Sequence, residues 1–171
     1  FAFVERERTP ANFQFYTSAG AAFVLAGASF LLSAGPRAML WTALAVAAAL
    51  AVRLVGRGAL AGHAAVYAAA AALSCGLVAH VAESLFGSPA EAWSPPDLAG
   101  LLATLGAGVS AWVLGTVPAR GPLDRVPRVA IQVVLAAAVA GLVVGWVAPL
   151  VAGTPGFYEL KRSRTQKPIF D

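Results

Sequence analysis

The chain has 171 residues, of which 59% are hydrophobic and only 12% charged. A soluble domain is typically about 45–50% apolar and about 25% charged, so half the usual charge is left to cover a globule. The net charge is +4, and the basic residues stand in short clusters between long apolar runs. That pattern excludes a nucleic-acid-binding face on a soluble domain and points to anionic lipid headgroups and control of topology. A single cysteine excludes an internal disulfide and a multi-cysteine zinc site.

The fold class expected is all-α: a polytopic transmembrane helical bundle of about five membrane-spanning helices, forming one domain over residues 1–152, with a polar basic tail at 153–171. An open strand or loop cannot satisfy its backbone in lipid, so every span is read as a helix. The chain begins at Phe1, not Met, and its first residues carry no signal-peptide pattern, so a processed chain or a fragment is expected. Glu5, Arg6, Glu7 and Arg8 alternate in sign, and Thr9 or Asn12 is placed to cap the first helix. Phe13, Phe15 and Tyr16 read as an aromatic belt where the chain enters the membrane.

The expected spans are 13–34, 38–55, 59–85, 98–117 and 129–152. Gly35-Pro36-Arg37 reads as a tight turn between the first two, and Gly56-Arg57-Gly58 as the next turn. Trp41 is expected at one interface, with Arg53 snorkelling to the other. The third span is 27 residues long and carries five consecutive alanines, Ala68 to Ala72, both histidines, the cysteine and Glu83. As one helix it would reach about 40 Å, against a hydrocarbon core of about 30 Å, so it would tilt or protrude. Residues 87–97 form the longest loop, with no Lys or Arg, and Pro149 is placed to bend or end the fifth span.

Five spans put seven basic residues on the side of the N-terminal segment, the second turn and the fourth loop, against one on the other side. The positive-inside rule then makes the N-terminus cytoplasmic. The tail, with Lys161, Arg162, Arg164 and Lys167, falls outside and contradicts that rule, unless a further span follows, one segment does not cross, or a partner binds the tail. Phe157, Tyr158, Ile169 and Phe170 alternate with those bases, which suits a partner contact.

Candidate sites concentrate in the third span. At about 100° per residue, His63, Tyr67 and Ser74 share one stripe, while His80 lies a quarter-turn away and Glu83 nearly opposite. Neutral imidazole can ligate the metal of a haem or chlorophyll-type pigment, so His63 and His80 are the candidate axial ligands. They lie about 25 Å apart along one helix and cannot share a metal. The bland alternative, that both sit at the interfaces bonded to neighbours or water, is favoured. Tyr67, Ser74 and Glu83 are the polar intramembrane residues; Glu83, two residues from the end of its span, reads as a solvated interfacial acid rather than a proton or cation ligand. Cys75 reads as a small hydrophobe, not a nucleophile. Gly100, Thr104 and Gly108, and again Ala137, Gly141 and Gly145, repeat at four-residue spacing and read as helix-packing stripes.

No catalytic or metal-binding motif and no nucleotide loop is present in the sequence. Phe13-Gln14-Phe15-Tyr16, then Arg57 before His63-Ala64-Ala65-Val66-Tyr67 and, after the alanines, Ser74-Cys75-Gly76-Leu77, resembles a group of large, alanine-rich bacterial multi-pass membrane proteins with no assigned function. The resemblance covers residues 5–85. It implies a bacterial cytoplasmic membrane, a chain that is the C-terminal portion of a longer polytopic protein, and a recurring His63–Tyr67 pair; it implies no reaction. The functions expected are, first, a membrane-embedded module or accessory subunit with other membrane subunits or further spans as partners. The second is a pigment- or haem-binding subunit of an electron-transfer or photosynthetic complex, and the third a small-solute transporter or channel. An enzyme is the least supported.

Overall fold

The computed structural model describes residues 10–86, 97–119 and 124–152, and within them all side chains except those of 10, 11, 83–85, 145, 146 and 148–152. Six helices occur among these residues: α1 (Pro10–Leu31), α2 (Ala34–Val55), α3 (Gly58–Ser74), α4 (Leu77–Phe86), α5 (Leu98–Gly115) and α6 (Arg125–Ala152). No strand is present among the described residues, and the fold is a helical bundle. Three stretches, Ala34–Val55, Leu98–Gly115 and Arg125–Val144, are long and apolar enough to cross a membrane by length and composition; α3 is a shorter apolar helix.

Helix boundaries follow local chemistry. The first turn lies at Leu32–Ser33, earlier than the Gly35-Pro36 pair suggested, because Gly35 and Pro36 sit in the first turn of α2. Proline is tolerated there: its missing N–H is one of the four that a helix start leaves unpaired anyway. The same reason admits Pro127 as the third residue of α6. At the end of α2, Gly56 takes a left-handed conformation (φ 70°) and donates its N–H to the Val52 carbonyl at 2.8 Å. A residue without a Cβ adopts that conformation at little cost, which closes α2 and turns the chain straight into α3. Asp97 caps α5 by accepting from the Gly100 N–H at 2.8 Å.

The expected 59–85 helix is two helices. α3 ends at Ser74, Gly76 has φ 71°, and α4 begins at Leu77. A Cβ at Gly76 would meet nothing within 4 Å, so the glycine is required by the backbone turn and not by crowding. The Cys75 N–H bonds to the Ala71 carbonyl and the Gly76 N–H to that of Leu73, which closes α3 before α4 starts. Seventeen residues give α3 a length of about 26 Å, so the 40 Å rod does not exist. Ala72, Cys75 and Leu77 pack together on Val134 and Ala138 of α6, which therefore spans the break.

The interior is built mainly from alanine. Ala45 and Ala49 of α2 meet Ala61, Ala64, Ala68 and Ala71 of α3, with Ala103 of α5 and Ile131 of α6 joining the same cluster. On α3 these residues step by three, four and three, the spacing that keeps one seam facing a partner helix. Large side chains point the other way: Phe30 is 90% exposed, Leu54 84%, Phe23 79% and Trp112 66%.

The closest approach between α2 and α5 falls at Gly106, where a Cβ would meet Thr42 Cγ2. Thr42 cannot easily give way, because its hydroxyl donates to the Ala38 carbonyl at 2.8 Å. Of the expected stripe, Gly100 and Thr104 are buried and Gly108 is half-buried, 3.7 Å (from an added Cβ) from Leu135 of α6. On α6, Gly141 is buried under Val81 of α4, but Ala137 faces outward; the inward stripe runs through Ile131, Val134, Ala138 and Gly141. The side chain at position 145 lies outside the described residues. Gly106→Ala is expected to destabilise the bundle by about 1–3 kcal/mol, with Thr42→Ser in the same chain recovering most of the loss. Gly62→Ala, with open space around it, is expected to be neutral or stabilising. Unfolding in detergent micelles reads all three, and equal losses at positions 62 and 106 would contradict the packing described.

Candidate functional site

The stripe of His63, Tyr67 and Ser74 does not converge on a common site. Tyr67 is buried and stacks on Trp41 of α2, with ring centroids 6.0 Å apart and planes within 9°. Trp41 is only 1% exposed, so it is the central ring of the interior and not the interfacial anchor its position suggested. An indole among alanines fills the volume that small side chains leave. His63 turns instead toward α1, where its Nε2 lies 3.3 Å from the Ser18 hydroxyl. Ser74 is half-buried at the end of α3, just before the break.

His80 lies on α4, beyond the break, so its angular relation to His63 along a single helix no longer applies. Its backbone N–H bonds to the Gly76 carbonyl at 2.9 Å, while its Nε2 is closed off from solvent and has no hydrogen-bond partner. Glu83 belongs to α4, and its side chain lies outside the described residues. Cys75 is a half-buried free thiol whose Sγ donates to the Ala72 carbonyl at 3.5 Å. Among the described residues, no three His, Cys, Asp or Glu side chains gather as metal ligands.

What the fold does assemble is one polar end. The Arg57 guanidinium lies 5.0 Å above the Phe13 ring, joining the start of α1 to the α2–α3 turn. A Cβ at Gly58, the first residue of α3, would meet the Asp124 carboxylate, so that turn is seated on the α5–α6 corner. An acid beside a helix N-terminus also suits the direction of its dipole. Arg128 Nη1 donates to the Val117 carbonyl at 2.6 Å, closing the C-terminal end of α5 with a cation. Arg53, Arg57, Arg125 and Arg128 therefore share an end with Phe13. At the opposite end of α2, Arg37 Nη1 donates to the Ser29 carbonyl at 3.4 Å, over the last turn of α1. Sequence reasoning placed the clusters on a common side by counting turns; it could not find the Gly58–Asp124 seat or the Phe13–Arg57 stack, which join residues far apart in the chain.

The geometry separates a structural pair from a peripheral one. Trp41→Ala removes the largest buried ring and is expected to cost about 3–5 kcal/mol. His63→Ala removes one exposed hydrogen bond and is expected to cost about 1 kcal/mol or less. Denaturation of detergent-solubilised protein measures both; a loss at His63 matching that at Trp41 would assign the imidazole a role that this structure does not give it.

Compared with known proteins, no family model, no curated protein and no solved structure matches the chain.

Proposed function

We propose that the chain is a multi-pass membrane-embedded helical module that works by packing against further membrane helices, of its own protein or of a larger complex. The observation that carries this reading is the inverted distribution of side-chain size: alanine and glycine line the interior while Phe23, Phe30, Leu54 and Trp112 point outward. Water would penalise that surface heavily, since soluble monomers rarely expose large contiguous apolar patches. In lipid the surface is unpenalised, because the surrounding chains are as apolar as leucine and helices associate through close packing of small residues. The spans in this reading are α1, α2, α3 with α4 beyond its break, α5 and α6. Arg53, Arg57, Arg125 and Arg128 mark the cytoplasmic end and Arg37 the other.

No observation favours the pigment or haem alternative over this one. His63 would have to exchange Ser18 for a metal, and His80 would have to turn a buried Nε2 outward. A transporter reading requires Glu83, His80 and Tyr67 to line one path; Tyr67 is instead stacked on Trp41, and His80 lies on a separate helix.

Orientation is tested with single cysteines in a Cys75→Ala chain in intact cells, using a membrane-impermeant maleimide. Ser33→Cys, in the α1–α2 turn, is expected to label from outside, and Arg125→Cys, at the foot of α6, only after lysis. Labelling of both from outside, or the reverse pattern, would count against this orientation. Release of the chain by alkaline carbonate would remove the membrane reading altogether.

A further inference from the structure

α2 and α5 run in the same direction and finish at one end of the bundle. Gly58, just past α2, meets Asp124, just before α6, and Val117, just past α5, accepts from Arg128 of α6. Thr42 of α2 lies against Gly106 of α5. One stretch of equal length further along each helix, Arg53 stands level with Val117, within about 20° of the Thr42 row. That row faces α5, but α5 stops at Gly115, so Arg53 is exposed beside its foot.

α6 supplies arginines on the other flank of α5. Leu135 lies 3.7 Å from a Cβ added at Gly108 of α5, and Arg128 falls within about 20° of Leu135 on α6. Arg128 is committed: its Nη1 donates to the Val117 carbonyl and its Nε is closed off from solvent. Arg125 lies about 80° from Leu135, in the sense opposite to the buried Ile131 and Ala138, and is exposed on the outer side. Between the two flanks α5 presents Leu105, Val109 and Trp112, which are 66%, 43% and 66% exposed. They occupy the outer arc between Gly106, which meets α2, and Gly108, which meets α6. Two cations therefore flank one apolar strip that ends in an indole. Among the described residues neither Arg53 nor Arg125 is paired with an acid, and Asp124 is turned to Gly58.

We propose that the foot of α5 binds one anionic phospholipid, its phosphodiester held between Arg53 and Arg125 and an acyl chain laid along Trp112, Val109 and Leu105. The proposal rests on the membrane reading above. Charge and polarity together select this occupant. A guanidinium presents paired N–H donors to two oxygens of one phosphate, and its aliphatic stem lies along apolar surface while the head stays at the boundary. An indole favours the same boundary between headgroups and acyl chains. A soluble anion would satisfy the arginines and leave the apolar strip unused; a zwitterionic headgroup would bring a further cation between them. Arg128 already offsets the carbonyl end of α5, so the phosphate meets the two arginines and not bare carbonyls.

The test uses the full chain, first extracted with alkaline carbonate in its membranes and then reconstituted in phosphatidylcholine vesicles. A small fixed fraction of the lipid carries bromine near the top of its acyl chains, as phosphatidylglycerol in one arm and phosphatidylcholine in the other. Quenching at Trp112 is read as the part of the signal lost in Trp112→Phe. Brominated phosphatidylglycerol is expected to quench it about three- to tenfold more effectively, and Arg53→Gln or Arg125→Gln each to lower that preference about three- to fivefold. Arg125→Gln with Val126→Arg keeps the net charge but moves it round α6, and is expected not to restore the preference. Arg37→Gln, at the opposite end, is expected to leave it unchanged, as is inorganic phosphate added at constant ionic strength. Equal quenching by the two lipids, an unchanged preference in Arg53→Gln and Arg125→Gln, or recovery with Val126→Arg overturns the proposal and leaves the membrane reading standing. So does an equal loss in Arg37→Gln, or displacement by inorganic phosphate. Release by carbonate overturns both.

Discussion

Close packing of small residues is the constraint on which the bundle depends. α2, α3 and α5 meet through Ala45, Ala49, Ala61, Ala64, Ala68 and Ala103, and backbones come nearest where Gly106 lies against Thr42. Such contacts gain little from burying area, because each alanine removes little apolar surface from its surroundings. They gain from dispersion between many well-placed atoms, which is lost steeply when helices are held apart. Thr42 shows how tight the fit is: its hydroxyl is tied to the Ala38 carbonyl, and its methyl occupies the space that a Cβ at Gly106 would take.

Two exceptions to the small-residue rule give the packing its specificity. Trp41 and Tyr67 stack in the interior and fix how α2 and α3 face each other, because a plane of that size fits one place. Phe13, 2% exposed beneath Arg57, anchors the first turn of α1. The rest of α1 is held by a narrow strip, Ala21, Leu25 and Ala28, with Ser18–His63 and Arg37–Ser29 as polar ties near its two ends. Its remaining aromatic residues face outward, so α1 is the most peripheral helix of the bundle.

The break at Cys75–Gly76 changes the chemistry available to the central segment. A continuous helix would hold His63, Tyr67, Ser74 and His80 in fixed angular relation. The left-handed Gly76 redirects α4 along α6 and leaves His80 on a separate element. The His63 imidazole then meets Ser18 of α1, while His80 sits on α4 with a buried Nε2 that has no hydrogen-bond partner.

The sequence by itself determined that the chain is all-helical, where most helices lie, and that the basic clusters divide unequally between two ends. These follow from local properties: long apolar runs, capping residues and glycine at turns. It did not determine which face of each helix turns inward. The helices are apolar nearly all round, so hydrophobic periodicity carries no inward direction, and the remaining signal, a stripe of small residues, recurs on several faces of so alanine-rich a chain. The Gly100 and Thr104 stripe was legible, yet the tightest contact fell at Gly106, and Ala137 yielded its inward position to Ala138. Only the tertiary structure decided these, along with the burial of Trp41 and the break at Gly76. Each depends on a neighbour distant in the chain or on a backbone conformation that glycine permits without demanding.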